Sequence, residues 1–324
     1  MTMLVTGATG FVGTHLVDEL LSGGSKVRAL SRNQERADKL RQRGVETVVG
    51  DIRDPTAMSS AVRDVDIIFH CAAAHSLCSV EEIRETNQNG LRNLLDAVRQ
   101  EKRGRIILMS SMNAYGIKSF DHLTEDAPLR RSGEAHADAK IDGDELALEY
   151  ADRHGLDITI LRPGLIYGHG DRHLPRMADA IRRGKFVFIG SRDNVVPLVS
   201  VSDMVQAMLL ASQTSHSGAR VFNITDGSRS TIGDLVGHLA RLMNCPPPTR
   251  VLPYFLPWLV CTVCDRLGRS GPINRTTLRF LGTSRFADIQ RARDELGYQP
   301  TVDLGAGLKA SMDWIEQAPA IKAH

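Results

Sequence analysis

Residues 1–13 read MTMLVTGATGFVG. A short apolar run, Met3 to Val5, stops at Thr6-Gly7. Gly10 and Gly13 follow at three-residue spacing, and an amphipathic stretch (Phe11, Val12, Leu16, Val17, Leu20, Leu21) begins among them. The order is strand, glycine turn, helix. Side chains at the glycine positions would keep the backbone away from a pyrophosphate. The helix N-terminus adds N–H groups and a positive dipole end that hold an anion. Glycines used only for turning are the plainer alternative. Placed between the first strand and the first helix, Gly7, Gly10 and Gly13 point instead to a dinucleotide-binding turn.

Outward from this turn, strand-like and helix-like segments alternate. Strands are expected at 26–30, 46–49, 66–70, 105–109 and 157–161. Helices are expected at 34–42, 56–62 and 141–153, with one long helix over 82–100. Alternation of this kind predicts an α/β fold, a doubly wound parallel Rossmann sheet covered on both faces. After Arg162 the pattern loosens at Pro163, Gly164, Gly168, Gly170 and Pro175. The expected organisation is a dinucleotide-binding domain over 1–165, with returning segments near 195–225 such as a strand at 220–224. A smaller, mainly helical substrate lobe is expected over 166–194 and 226–324.

Bulk composition narrows the class. The chain has 324 residues, 42% hydrophobic and 24% charged, with a formal charge of +2. That is a globular composition with no mark of a nucleic-acid partner. The N-terminus lacks the pattern of a signal peptide, so a cytoplasmic location is expected. Five cysteines (Cys71, Cys78, Cys245, Cys261, Cys264) are too few for a disulfide framework at this length. Cys261 and Cys264 form a CxxC. No second ligand pair with zinc spacing accompanies it, so the pair reads as two small apolar residues one helical turn apart, and no metal is expected. The longest apolar stretch, Val251 to Cys264, is broken by Pro253 and Pro257 and falls short of the ~20 residues that span a bilayer. It could line a lipophilic pocket, pack on a partner, touch a membrane surface peripherally, or form a core helix.

Several motifs in order make the chain resemble the extended short-chain dehydrogenase/reductase superfamily. The closest likeness is to its epimerase/dehydratase-like and 3β-hydroxysteroid-dehydrogenase-like branches. TGATGFVG matches TGxxGxxG; ETNQNGLRNLLDA, with Asn87, is similar to VNxxGTxNLLDA; Ser110-Ser111 with Tyr115-Gly116 matches SSxxxYG. LRPGLIYG matches LRPxxVYG, and RARDELGYQP resembles KARRELGYxP. The resemblance covers nearly the whole length. It implies a cofactor-binding set of Gly7, Thr9, Gly10, Phe11, Val12, Gly13, Ser31, Arg32, Asp51, Ile52, Cys71, Ala72, Ala73, Asn87, Ser110, Lys140 and Pro163. Within that set, Asp51-Ile52 would meet adenine, the CAAA run 71–74 would flank the cofactor, and Pro163 would face the nicotinamide. A small-molecule substrate and a homodimer are expected.

One position departs from the family pattern. The family signature YxxxK falls here on HADAK, with His136 in the tyrosine position and Lys140 retained. In the family, the tyrosine exchanges a proton with the substrate oxygen while hydride moves at the nicotinamide. The lysine binds the ribose and lowers the phenol pKa, and a serine holds the substrate oxygen. The resemblance therefore implies a catalytic set of Ser111, His136 and Lys140. A phenol near pKa 10 needs the lysine's help, whereas a histidine near ~6.5 can act as acid or base unaided. Three readings stand: a dehydrogenase, reductase or epimerase using His136; a cofactor-binding relative without hydride transfer; and a non-redox enzyme of cyclisation or elimination. Met112-Asn113 replace the Asp-Glu pair of sugar dehydratases, so 4,6-dehydration is not expected.

The end of the second strand bears on the cofactor. An NAD-preferring site carries Asp or Glu there to accept from the ribose 2′-OH. Here the strand ends in Ser31-Arg32-Asn33, and a guanidinium can pair with a 2′-phosphate. NADP(H) is favoured, with NAD(H) as the alternative. The apolar stretch at 251–264 hints at a lipophilic substrate.

Overall fold

The computed structural model describes residues 1–74, 78–116, 118–215, 218–266, 278 and 280–317. The first strands are β1 (Thr2–Thr6), β2 (Lys26–Ser31), β3 (Glu46–Val49), β4 (Ile67–His70), β5 (Arg105–Met109), β6 (Phe120–Leu123) and β7 (Ile158–Pro163). They are followed by β8 (Leu165–Tyr167), β9 (Phe188–Ile189), β10 (Leu198–Ser200), β11 (Ala219–Ile224), β12 (Val251–Leu252) and β13 (Arg285–Ala287). Seven of them form one sheet in the order β11-β7-β5-β4-β1-β2-β3, and every neighbouring pair is parallel. β8 pairs with β10, β9 with β12, and β6 with β13. The lobe expected to be mainly helical thus also carries short parallel pairs.

Helices cover both faces of the large sheet: α1 (Phe11–Ser22), α2 (Gln34–Gln42), α3 (Pro55–Val62), α4 (Val80–Arg84), α5 (Gly90–Glu101) and α6 (Ala135–His154). Next come α7 (His173–Arg182), α8 (Val201–Gln213), α9 (Ile232–Leu242) and α10 (Phe255–Arg266), then helices at Gln290–Leu296 and Leu304–Gln317. Strand alternation feeds two cores. Val5 of β1 and Ile107 of β5 join Leu16 and Val17 of α1 and Met204 and Met208 of α8. Their neighbours Leu4 and Ile106 point the other way, among Met58 of α3, Leu94 and Leu95 of α5, and Ala147 of α6. Both faces are apolar because both are buried. A third core gathers α7, α9, β9 and the last helix, around Ile181, Phe188, Leu235, Leu239 and Leu308.

Two expected helices differ in outline. The segment expected as one helix over 82–100 is α4, then a π-helical turn at Glu85–Asn89, then α5. The wide turn re-phases the helix so that Thr86 and Asn87 are both buried. The helix expected to begin at Ile141 begins at Ala135, because Glu134 caps it by accepting from the Ala137 N–H at 2.7 Å. His136 therefore lies in its first turn.

Candidate active site

A parallel sheet brings all its strand C-termini to one edge, and ligands of such sheets bind there, where the strand order reverses. Gly7 follows β1, Arg32 follows β2, Asp51 lies just past β3, Cys71 follows β4, Ser110 follows β5, and Pro163 ends β7. Asn87 and Lys140 come from the π-turn and α6. The order reverses between β1 and β4, which are hydrogen-bonded neighbours.

The glycine turn is built for close approach. Gly7 has φ +72°, and a Cβ there would sit 2.7 Å from the Ala72 nitrogen. A Cβ at Gly13 would lie 2.1 Å from the Gly7 carbonyl oxygen, so α1 can rest on the turn only with hydrogen at that position. Gly10 is the N-cap of α1 and makes no side-chain cap bond, which leaves the first-turn N–H groups to a ligand. These features fit a bound pyrophosphate. Val12 and Ile52 have other duties. Their side chains are buried in the two sheet cores, and Ile52 packs so tightly under Gly90 that a Cβ there would lie 2.6 Å from Ile52 Cδ1.

At the end of β2, the Ser31 hydroxyl donates to the Asn33 carbonyl at 3.1 Å. Arg32 reaches Asp51 at 3.8 Å and is largely exposed. Arg53, not singled out by motif, grips Asp51 with Nε at 3.0 Å and Nη2 at 2.8 Å. That grip, more than the distant Arg32, holds the Asp51 carboxyl below its usual range. Two guanidiniums thus share one carboxylate at this corner, and Glu82 and Glu85 also act on Arg53.

The residues of α6 expected to be catalytic lie on one face of that helix. His136, Lys140 and Asp144 recur every four residues. The Lys140 ammonium donates to the Met109 carbonyl at 2.9 Å. Enclosure of that ammonium lowers its pKa, against the pull of Asp144. A small cavity of about 20 Å³ is lined there by Lys140, Asp144, His70, Asn87 and Ser110, with Ala72 and Ala73 on its wall. His70, buried and near Lys140, is pushed down to about 3, mainly by burial, and its Nδ1 meets the Thr6 hydroxyl at 2.9 Å. Burial raises the Cys71 thiol to about 12, so it is not a nucleophile.

His136 is held by backbone. Its Nδ1 lies 3.1 Å from the Ala74 carbonyl oxygen. A carbonyl only accepts, so Nδ1 carries the hydrogen, and in the neutral ring the lone pair is on Nε2. Asn87 fixes that carbonyl from the other side. Its Oδ1 accepts from the Ala74 N–H at 2.7 Å and its Nδ2 donates to the Ala74 oxygen at 3.3 Å. The Ser111 hydroxyl accepts from the Asn113 N–H at 3.2 Å and caps the 3₁₀ turn at Met112–Tyr115.

Behind this face stands a buried polar network. Arg162 Nε donates to Asp144 at 2.8 Å and Arg162 Nη1 donates to the Tyr115 hydroxyl at 2.8 Å. Tyr115 donates to Asn223 Oδ1 at 2.8 Å, and the Asn223 N–H donates to Glu125 at 2.9 Å. Burial raises the Asp144 carboxyl while Arg162 holds it down, and burial raises the Tyr115 phenol to about 12. The tyrosine of SSxxxYG and the arginine of LRPxxVYG thus bind one another. Asp144, Asn223 and Glu125 belong to no motif read from the sequence. The four-residue step from Lys140 is a sequence signal for Asp144 alone.

This geometry defines a Rossmann-fold, dinucleotide-binding enzyme. The sequence profile of the NAD dependent epimerase/dehydratase family matches residues 3–225, and the chain belongs to that family, within the extended short-chain dehydrogenases/reductases. A "Sterol demethylase protein B" of Methylococcus capsulatus is 31% identical over 93% of this chain and 94% of its own. A "2-alkyl-3-oxoalkanoate reductase" of Stenotrophomonas maltophilia is 28% identical over 95% and 98%. Among solved structures, MoeE5 in complex with UDP-glucose and NAD superposes with TM-score 0.78 at 26% identity, covering 98% of this chain and 99% of that one.

Proposed function

We propose that the enzyme is an NADP(H)-preferring oxidoreductase that interconverts a secondary alcohol and a ketone on a small lipophilic molecule, with His136 as the proton-transfer group. The observation that carries this reading is the Nδ1 contact of His136 with the Ala74 carbonyl, on the helix face that also bears Lys140. A bound nicotinamide supplies or accepts hydride at the substrate carbon. The protein handles the proton. In oxidation, Nε2 of neutral His136 takes the hydroxyl proton; in reduction, the protonated ring returns it to the carbonyl oxygen. The Ala74 carbonyl stabilises the charged ring, much as an acceptor behind a catalytic histidine does elsewhere. Gly7, Gly10 and Gly13 give the pyrophosphate its seat, and Lys140 would meet the nicotinamide ribose. Ser111 would turn its hydroxyl to the substrate oxygen.

Arg32 and Arg53, with no carboxylate at the end of β2, support a 2′-phosphate and hence NADP(H). The lipophilic substrate is supported by the apolar 251–264 segment and by the names of the sterol and 2-alkyl-3-oxoalkanoate relatives. The test is His136→Tyr beside His136→Ala, followed at 340 nm with NADPH and a panel of ketones. If His136 is the proton carrier, alanine abolishes turnover and tyrosine moves the pH optimum upward. A wild-type enzyme that is silent until tyrosine is restored would show that the histidine is no catalyst. Product formed without change at 340 nm would place the reaction outside net redox chemistry.

A further inference from the structure

The segment 251–266 enters the third core only along one side, through Cys261 and Tyr254. On α10, Pro257 and Cys261 are buried, but Phe255 is 63% exposed, Leu259 52%, Trp258 47%, Val263 47%, Val260 43% and Leu256 41%. At 100° per residue these six cover an arc of roughly 200°. The arc is convex and apolar throughout, interrupted only by half-buried Thr262, whose hydroxyl is turned back onto the Trp258 carbonyl at 2.8 Å. An apolar patch of this kind marks an interaction site.

The surrounding charge indicates what covers it. Arg241 and Arg250 are exposed just ahead of α10. Arg182, Arg183 and Lys185, also exposed, lead into β9, which pairs with β12 so that the Phe188 N–H donates to the Arg250 carbonyl. A convex apolar cylinder carrying Trp and Phe, adjoined by exposed Arg182, Lys185, Arg241 and Arg250 and by Arg183, which is paired with Asp179, matches a fluid apolar phase beneath an anionic surface. The 12 residues of α10 give a rod of about 18 Å, too short to cross a bilayer core of about 30 Å. No helix among the described residues is long and apolar enough to cross. We propose that α10 is a monotopic anchor, which lies in the interface of an anionic membrane with Phe255, Trp258, Leu259 and Val263 inserted.

The inference is independent of the hydride-transfer reading, and its test needs no substrate. Trp258 is one of two tryptophans; the other, Trp314, lies against His169 with ring centroids 4.7 Å apart and is replaced by Phe to silence it. The Trp314→Phe protein is mixed with vesicles of phosphatidylcholine and phosphatidylglycerol, and with phosphatidylcholine alone. Trp258 emission is expected to shift to the blue and to be quenched by brominated acyl chains, more strongly with the anionic lipid and less so as salt rises. Phe255→Ser with Leu259→Ser should reduce co-sedimentation with anionic vesicles roughly tenfold while dinucleotide binding, measured by calorimetry, persists. Trp258 emission unchanged by either lipid overturns the proposal. So does a blue-shifted Trp258 without lipid that follows a concentration-dependent dimer in sedimentation velocity, because a second copy would then cover the face.

Discussion

Two stretches of helix α6, a little over two turns apart, hold their polar groups in opposite ways. Around Asp144, the carboxylate, the Arg162 guanidinium, the Tyr115 phenol and the Asn223 amide are bonded in sequence, and the Asp144 and Arg162 side chains are 1% and 3% exposed. Around His136, the side chain leans on a backbone carbonyl of a neighbouring loop. The first arrangement ties α6 to β7, β11 and the turn after β5, and depends on every member. The second includes a side-chain contact to a backbone carbonyl, which asks for a donor at that position. A scaffold of the first kind resists substitution, and a contact of the second kind tolerates it. The contrast is consistent with a chain that keeps the family's lysine and frame while position 136 carries a different ring.

The sharpest break of this comparison is His136→Ala. Turnover is expected to fall about 10²–10⁴-fold, equivalent to about 2.7–5.5 kcal/mol of barrier. The unfolding free energy from urea titration should stay within about 1 kcal/mol of wild type, because the Ala74 carbonyl keeps its bond from Asn87. An equal loss of stability would erase the distinction between the two regions. Asp144→Ala should do the reverse. It leaves the Arg162 charge buried and unmatched, at a cost of about 3–5 kcal/mol in urea unfolding. Asp144→Glu should recover part of that loss, and a stability unchanged by the alanine would mean that the network does not hold the fold.

Lys140 lies one turn from each region and sharpens the comparison through pH. Its folded pKa is lowered by burial, so between that pKa and the usual value of about 10.5 the unfolded chain binds more protons than the native one. Native stability gains from this group as pH rises through that window, and the penalty is fully present below it. Lys140→Met should remove the alkaline gain, read as the difference in melting temperature between pH 7 and 10 for the two proteins. Identical pH profiles would contradict the lowered pKa.

The smallest expected effect concerns the exposed Arg32, which reaches Asp51 at 3.8 Å. Arg32→Asp should shift the ratio of NADPH to NADH affinity roughly tenfold toward NADH, the worth of a charge-assisted hydrogen bond. The melting temperature should not move. Calorimetric affinities with an unchanged ratio would reassign the phosphate contact to Arg53.

The sequence by itself determined the frame. The period-two and period-3.6 patterns, the glycine spacing and the turn after each strand are local properties of the chain, so the parallel sheet, the edge of the site and the lone departure at His136 could all be read in order. Three matters were decided only by tertiary structure. The tyrosine of SSxxxYG serves Arg162 and Asn223, partners 47 and 108 residues away, and no local pattern encodes pairs brought together by strands in different parts of the chain. The π-turn at Glu85–Asn89 has no signature of its own against the helical periodicity on both sides; it turns Asn87 inward to Ala74. The apolar run at 251–264 could serve inside or outside with equal ease, because hydrophobicity states a need for burial without naming what buries it. In the folded chain the third core closes around Cys261 and leaves Trp258 and Leu259 on the surface.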